Sequence, residues 1–178
     1  MLRCVFVLAL ACLIASSAEA QRPQRRQGFW ISGGVGYGSL DVGCDGCESD
    51  RESGVTALLA MGGTPSQNIL IGGEIEGWSK EVDGVDIVFG HVSGVAQWYP
   101  QATGGFFVKG GVGIGTLSVD AGPLGDDSDN GVALHAGAGY DIRLGRNFSL
   151  TPTAGVFWAS LDPGNTNTLY IGLNATGH

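Results

Sequence analysis

The feature that most constrains this chain is an alternation of apolar with small or polar residues. It returns in eight segments, about 28–40, 53–63, 68–79, 87–99, 105–118, 131–144, 148–160 and 167–178. Successive side chains of an extended strand point to opposite faces, so each segment reads as a two-faced β-strand. In the first, Phe29, Ile31, Val35 and Tyr37 oppose Trp30, Ser32, Gly34 and Gly36. In the third, Ile69, Ile71 and Ile75 oppose Gly72, Glu74 and Glu76. In the fourth, Val88, Val92, Ala96 and Trp98 oppose His91, Ser93, Gln97 and Tyr99. The fifth sets Phe106, Val108, Val112 and Ile114 against Lys109, Gly111 and Gly113; the sixth sets Val132, Leu134 and Ala136 against His135, Gly137 and Asp141.

Alternation alone also suits a soluble sandwich, so the second face has to decide. It is rich in glycine, serine and threonine, carries a few charges and has few bulky aliphatic residues. A soluble barrel fills its interior with Val, Leu and Ile. Here the apolar face is the plausible outside and the small, polar face the inside, as lipid surroundings require. Each segment is long enough for a tilted membrane strand, which needs about 9–11 residues. The expected fold class is therefore all-β: an eight-stranded antiparallel up-and-down transmembrane β-barrel.

The connections support one orientation. Those at 64–67, 100–104 and 145–147 are short, and those after the odd-numbered segments are mostly longer and polar, the longest about 41–52 and 119–130. Short periplasmic turns and longer external loops are usual for such barrels. Thirteen acidic residues, from Asp41 to Asp162, fall at the external end, opposed there by Arg51 and Lys80; Arg22, Arg25, Arg26, Arg143 and Arg146 lie at the other. The net charge of −8 is thus concentrated at one end, which argues against nucleic-acid binding. Aromatic residues bracket the strands. Phe29, Trp98, Tyr99, Phe106 and Phe148 are expected in a periplasmic girdle, and Tyr37, Trp78 and Trp158 in an external one.

The N-terminus predicts export. Met1-Leu2-Arg3 is a short positive start, Cys4 to Ala15 is almost wholly apolar, and Ala18-Glu19-Ala20 has the small-x-small form that precedes cleavage. The expected division is a signal peptide over 1–20, cut between Ala20 and Gln21, a periplasmic segment over 21–27 and the barrel over 28–178. A lipoprotein signal ending at Cys12 is the alternative, but its apolar region would be very short. Cys44 and Cys47 remain in the mature chain, in Gly-Cys-Asp-Gly-Cys, and a local disulfide is expected in an oxidising compartment. Two cysteines cannot make a four-cysteine zinc site.

Several stretches carry a resemblance: Gly28-Phe29-Trp30-Ile31-Ser32-Gly33-Gly34, Gly104-Gly105-Phe106-Phe107-Val108-Lys109-Gly110-Gly111 and Ala133-Leu134-His135-Ala136-Gly137-Ala138-Gly139-Tyr140-Asp141. They resemble outer membrane protein β-barrel domains, the OmpA/OmpX-like eight-stranded group. The resemblance spans nearly all of the mature chain and implies fold and location more than activity. Barrels of this kind often end on an outward aromatic residue that assists assembly; this chain ends Thr176-Gly177-His178, with His178 in phase with the inward residues.

Candidate chemistry is sparse. His91, Ser93, Glu74 and Glu76 share the inward phase on neighbouring strands, a composition that a hydrolase could use, but a lipid-cleaving triad should face the bilayer. Asp126-Asp127-Ser128-Asp129-Asn130-Gly131 opens like a calcium loop, yet its twelfth position is Gly137 instead of a bidentate Glu. The glycine pairs have no following helix and are not a phosphate-binding fingerprint. No catalytic, cofactor or metal-ligand set is expected. The expected partners are outer-membrane lipid and an external ligand or surface partner, with a narrow pore or a lipid-modifying enzyme as alternatives. Inside the lumen, Lys109 is expected to meet Glu74, Glu76 and Asp141, with His135 as neighbour.

Overall fold

The computed structural model describes residues 25–43, 51–82, 85–120, 126–161 and 165–178. These form strands β1 (Gly28–Gly43), β2 (Glu52–Ser66), β3 (Ile69–Val82), β4 (Val85–Trp98) and β5 (Phe106–Asp120). The chain continues as β6 (Asp126–Tyr140), β7 (Ile142–Arg143), β8 (Phe148–Ser160) and β9 (Asn165–Gly177). β6 and the two-residue β7 both pair with β8, so they are one barrel strand interrupted at Asp141. Every neighbour is antiparallel, and β1 pairs with both β2 and β9. The result is a closed eight-stranded barrel, which leaves no open sheet edge for lipid to meet. No helix among the described residues is long and apolar enough to cross a membrane.

The alternation determines which face is which. Val35, Val92, Ile114 and Ile171 are each about 60% exposed or more, whereas the intervening Ser32, Glu74, His91, Lys109 and Thr168 are buried. An apolar exterior around a polar, filled interior inverts the arrangement of a soluble protein and suits hydrocarbon.

The strands run farther out than the alternation suggested. β5 and β6 stay paired to Asp120↔Asp126, and β3 and β4 to Val82↔Val85, leaving five and two residues between them. The expected loop over 119–130 is therefore strand at both ends, and the connection after β3 is two residues long. The calcium-like stretch 126–131 is the start of β6. Strands of 13–16 residues exceed what a bilayer crossing needs. The signal peptide and the Cys44/Cys47 pair lie outside the described residues.

Two of the expected girdle residues are not at the surface. Trp78 and Tyr99 are buried in the lumen, at 0% and 1% exposure. Their phase is inward, and a narrow barrel needs large side chains to fill it. Trp78 packs with Leu40, Phe89, Ala133, Phe157, Ala159 and Tyr170 in an upper apolar cluster. Tyr99 packs with Trp30, Ala60, Leu70, Val95 and Phe107 in a lower one. Along β3 these clusters are represented by Trp78 and Leu70, with Glu76 and Glu74 between them.

Candidate functional site in the barrel lumen

The mid-lumen layer takes its side chains from four strands. Glu74 and Glu76 come from β3, His91 from β4, Lys109 from β5 and His135 from β6. In register, Glu74 lies opposite Ser93 and Glu76 opposite His91. Glycines create the space: a Cβ on Gly111 would stand 2.8 Å from His135 Cε1. All five charged or imidazole side chains are buried, none more than 6% exposed.

Lys109 Nζ donates to both oxygens of Glu74, at 2.9 and 2.8 Å. His135 Nε2 lies 3.4 Å from Glu74 Oε1, and His91 Nε2 lies 3.7 Å from Glu76 Oε2. These two approaches lack hydrogen-bond geometry. Neither nitrogen of either imidazole makes a hydrogen bond, and Glu76 Oε2 and Ser93 Oγ make none. The two rings tilt against each other at 5.4 Å between centroids, and His91 also packs against Phe157 at 4.9 Å. Ser93 and His91 therefore form no nucleophile–base pair, and both face away from lipid.

Of the residues expected in this network, Lys109, Glu74 and His135 come together, and Glu76 adjoins them through His91. Asp141 does not join them. Lys109 is in register with Gly137, and Asp141 lies farther toward the start of β5, beyond the Phe106↔Tyr140 rung. Lys109 and Asp141 both line a cavity of about 10 Å³, enough for roughly one water.

Asp141 instead centres a second cluster at the end of the barrel where β1 starts and β9 finishes. Its Oδ2 accepts from Arg26 Nη2 at 3.3 Å and Tyr99 Oη at 3.1 Å; its Oδ1 accepts from Thr151 Oγ1 at 2.9 Å. His178 Nε2 stands 3.5 Å from the same carboxylate. Arg26 lies over the Tyr99 ring, 3.4 Å from its centroid, and donates to the carbonyls of Ala102 and Gly104. Gly28 makes this entry feasible. Its φ of +78° turns the chain from the tucked Arg26 into β1, a conformation that a side chain would strain. Sequence reading missed Arg26 because it precedes the first alternating segment; an arginine two residues before a glycine at a strand start was the available signal.

At the opposite rim Arg51 donates to Asn167 and pairs with Asp41 at 3.6 Å, and Lys80 pairs with Glu52. Arg51 and Lys80 are thus already matched, and Glu81, Asp86 and Asp129 lie at the same end of their strands.

A closed barrel with a lipid-compatible exterior and a charged, filled lumen agrees with the family comparison. The sequence matches the outer membrane protein β-barrel domain over residues 8–176. The chain belongs to this family. It is an outer-membrane protein. Its fold is similar to that of Ail, the attachment invasion locus protein of Yersinia pestis, at 17% identity and TM-score 0.64, covering 84% of this chain and 99% of that one. Neisserial surface protein A is similar at 11% identity and TM-score 0.67, over 86% and 99%. OprG from Pseudomonas aeruginosa is similar at 13% identity and TM-score 0.51, over 89% and 100%. No match was found among curated proteins. At these identities the solved structures speak for the fold alone.

Proposed function

We propose that this barrel is a non-enzymatic surface protein, a lipid-anchored scaffold whose external rim meets a ligand or partner. The observation that carries this reading is the filled lumen. Two apolar clusters, the Lys109–Glu74 pair and the Arg26–Asp141 pair occupy it along its length. A barrel of eight strands has an interior that side chains can fill, which disfavours diffusion through it. The exposed chemistry is then at the rim.

The chemistry of the rim favours a basic partner. Ail has been solved with the heparin analogue sucrose octasulfate, a polyanion. An acidic rim whose two cations are already paired is poorly suited to such a ligand. Basic probes should bind intact cells in a salt-sensitive manner, and heparin should not.

Planar-bilayer recording tests the scaffold reading directly. Purified protein should give conductance near background, and large stable channels would overturn it. A tag placed within 121–125 should be reachable on intact cells, and one within 64–67 hidden. Insertions there cost little because loop-closure entropy grows slowly with length. Labelling of the second tag alone would reverse the orientation.

A further inference from the structure

The mid-lumen layer holds more ligand capacity than a structural ion pair uses. One donor atom each from Glu74, His91 and His135 lies within 4.8 Å of the other two, and all three residues are buried. Tetrahedral zinc, with bonds of about 2.0–2.2 Å to imidazole and carboxylate, holds its ligand atoms roughly 3.3 Å apart. The His135 Nε2 to Glu74 Oε1 separation of 3.4 Å already has this value. The remaining separations need only side-chain adjustments within the layer.

Burial supplies the second observation. His91 and His135 are 3% and 4% exposed, and their four ring nitrogens make no hydrogen bond. Buried polar groups without partners cost about 1–3 kcal/mol each in ordinary proteins, so an arrangement that orphans four nitrogens and Glu76 Oε2 calls for an explanation. A bound cation would take one nitrogen from each ring and so account for two of these five atoms at once.

We infer that Glu74, His91 and His135 form a site for a divalent first-row transition metal inside the barrel. Two neutral imidazoles and one carboxylate suit zinc, cobalt, nickel or copper better than magnesium or calcium, which take oxygen ligands. Glu76, 3.7 Å from His91 Nε2, is near enough for a small side-chain shift to let its carboxylate orient a ligating imidazole. Lys109 shares Glu74 with the ion. Glu74 and Glu76 against Lys109 leave this layer at one negative charge with both rings neutral, so a divalent ion brings it to one positive. The Trp78–Phe89–Phe157 side and the Leu70–Phe107 side bracket the site with apolar groups, which predicts slow exchange of the ion once the barrel has closed. The signal escaped sequence analysis because the ligands come from three strands, 17 and 44 residues apart in the chain, with no local ligand spacing.

The test uses the protein extracted from outer membranes, unfolded in urea with chelator and refolded into detergent with Co²⁺. Folded barrel is isolated by its faster migration when unboiled. One Co²⁺ per folded chain is expected, with the visible bands of a low-coordinate cobalt site, displaced by Zn²⁺ added during refolding. His91→Asn and His135→Asn should each lose the bands. His178→Asn, and joint Asn replacement of Asp126, Asp127 and Asp129, should keep them. Where a histidine variant fails to fold, Cu²⁺ bound to the wild-type barrel decides, since two imidazole nitrogens give resolved coupling in its electron paramagnetic resonance spectrum. Folded wild type without bound cobalt, bands that survive in a folded His91→Asn or His135→Asn barrel, bands lost only with the rim aspartates, or an oxygen-only copper spectrum would overturn the inference.

Discussion

Two buried clusters share this lumen, and they are built on opposite principles. The cluster where β1 starts surrounds one carboxylate, Asp141, with donors from Arg26, Tyr99 and Thr151. The mid-lumen cluster places two carboxylates, one ammonium and two imidazoles together, and only the Lys109–Glu74 contact is hydrogen-bonded. The first is a clamp. It ties the segment before β1, the turn after β4 and the break between β6 and β7 to one acid. The second contains one strong pair and a surplus of unused donors and acceptors. The difference teaches that burial of charge in a barrel does not by itself mean a closed electrostatic network; each Asp141 oxygen has a donor, whereas no ring nitrogen of His91 or His135 has a hydrogen-bond partner.

The largest effect should come from the one strong mid-lumen pair. Lys109→Met leaves Glu74 and Glu76 buried without a counter-cation, and removing one partner of a buried pair typically costs about 3–5 kcal/mol. Urea unfolding in detergent, followed by the loss of fast-migrating folded barrel, should show a clear fall in midpoint. Replacing Glu74 and Glu76 together by Gln should restore part of it, because the uncompensated charges go with them. A Lys109→Met barrel as stable as the parent would show that the pair does not hold the lumen together.

Much of this comparison was legible in the sequence. Period-two phase placed Glu74, Glu76, Lys109, His91 and His135 on one inward face. It could not assign Asp141 to a layer, because height in a barrel depends on register between strands as well as phase along them. The Lys109↔Gly137 register puts Asp141 lower than the position of its strand segment implied. Trp78 and Tyr99 show a different limit. Nearness to strand ends suggested membrane girdles, but inward phase and the need to fill a narrow interior prevail. Arg26 escaped because a side chain tucked under the barrel leaves no periodic trace.

The clamp should give an intermediate effect. Asp141→Ala removes the acceptor shared by Arg26, Tyr99 and Thr151. Arg26 keeps its bonds to the Ala102 and Gly104 carbonyls and its place over Tyr99, so the loss is partial. Leaving buried donors unsatisfied costs about 1–3 kcal/mol. Asp141→Asn, which keeps an acceptor oxygen and the shape, should cost less than Asp141→Ala. Equal losses for both would mean that negative charge at Asp141, and not acceptance of hydrogen bonds, holds the clamp.

The smallest effect should come from the spare imidazoles. In metal-free protein, His91→Phe removes two ring nitrogens that make no hydrogen bond, and with them an uncompensated desolvation cost. The new ring would sit among Phe157, 4.9 Å away, and His135, 5.4 Å away, in a position that already accepts aromatic packing. Swaps that roughly conserve volume usually cost less than about 1.5 kcal/mol, and relief of desolvation works in the opposite direction. The chelated His91→Phe barrel should therefore unfold within that range of the parent, on either side, and closer to it than Asp141→Ala. If His91→Phe instead destabilises as much as Lys109→Met, the imidazole is carrying part of the Glu76 charge balance. The mid-lumen cluster would then be a second clamp like the first, with no donors to spare.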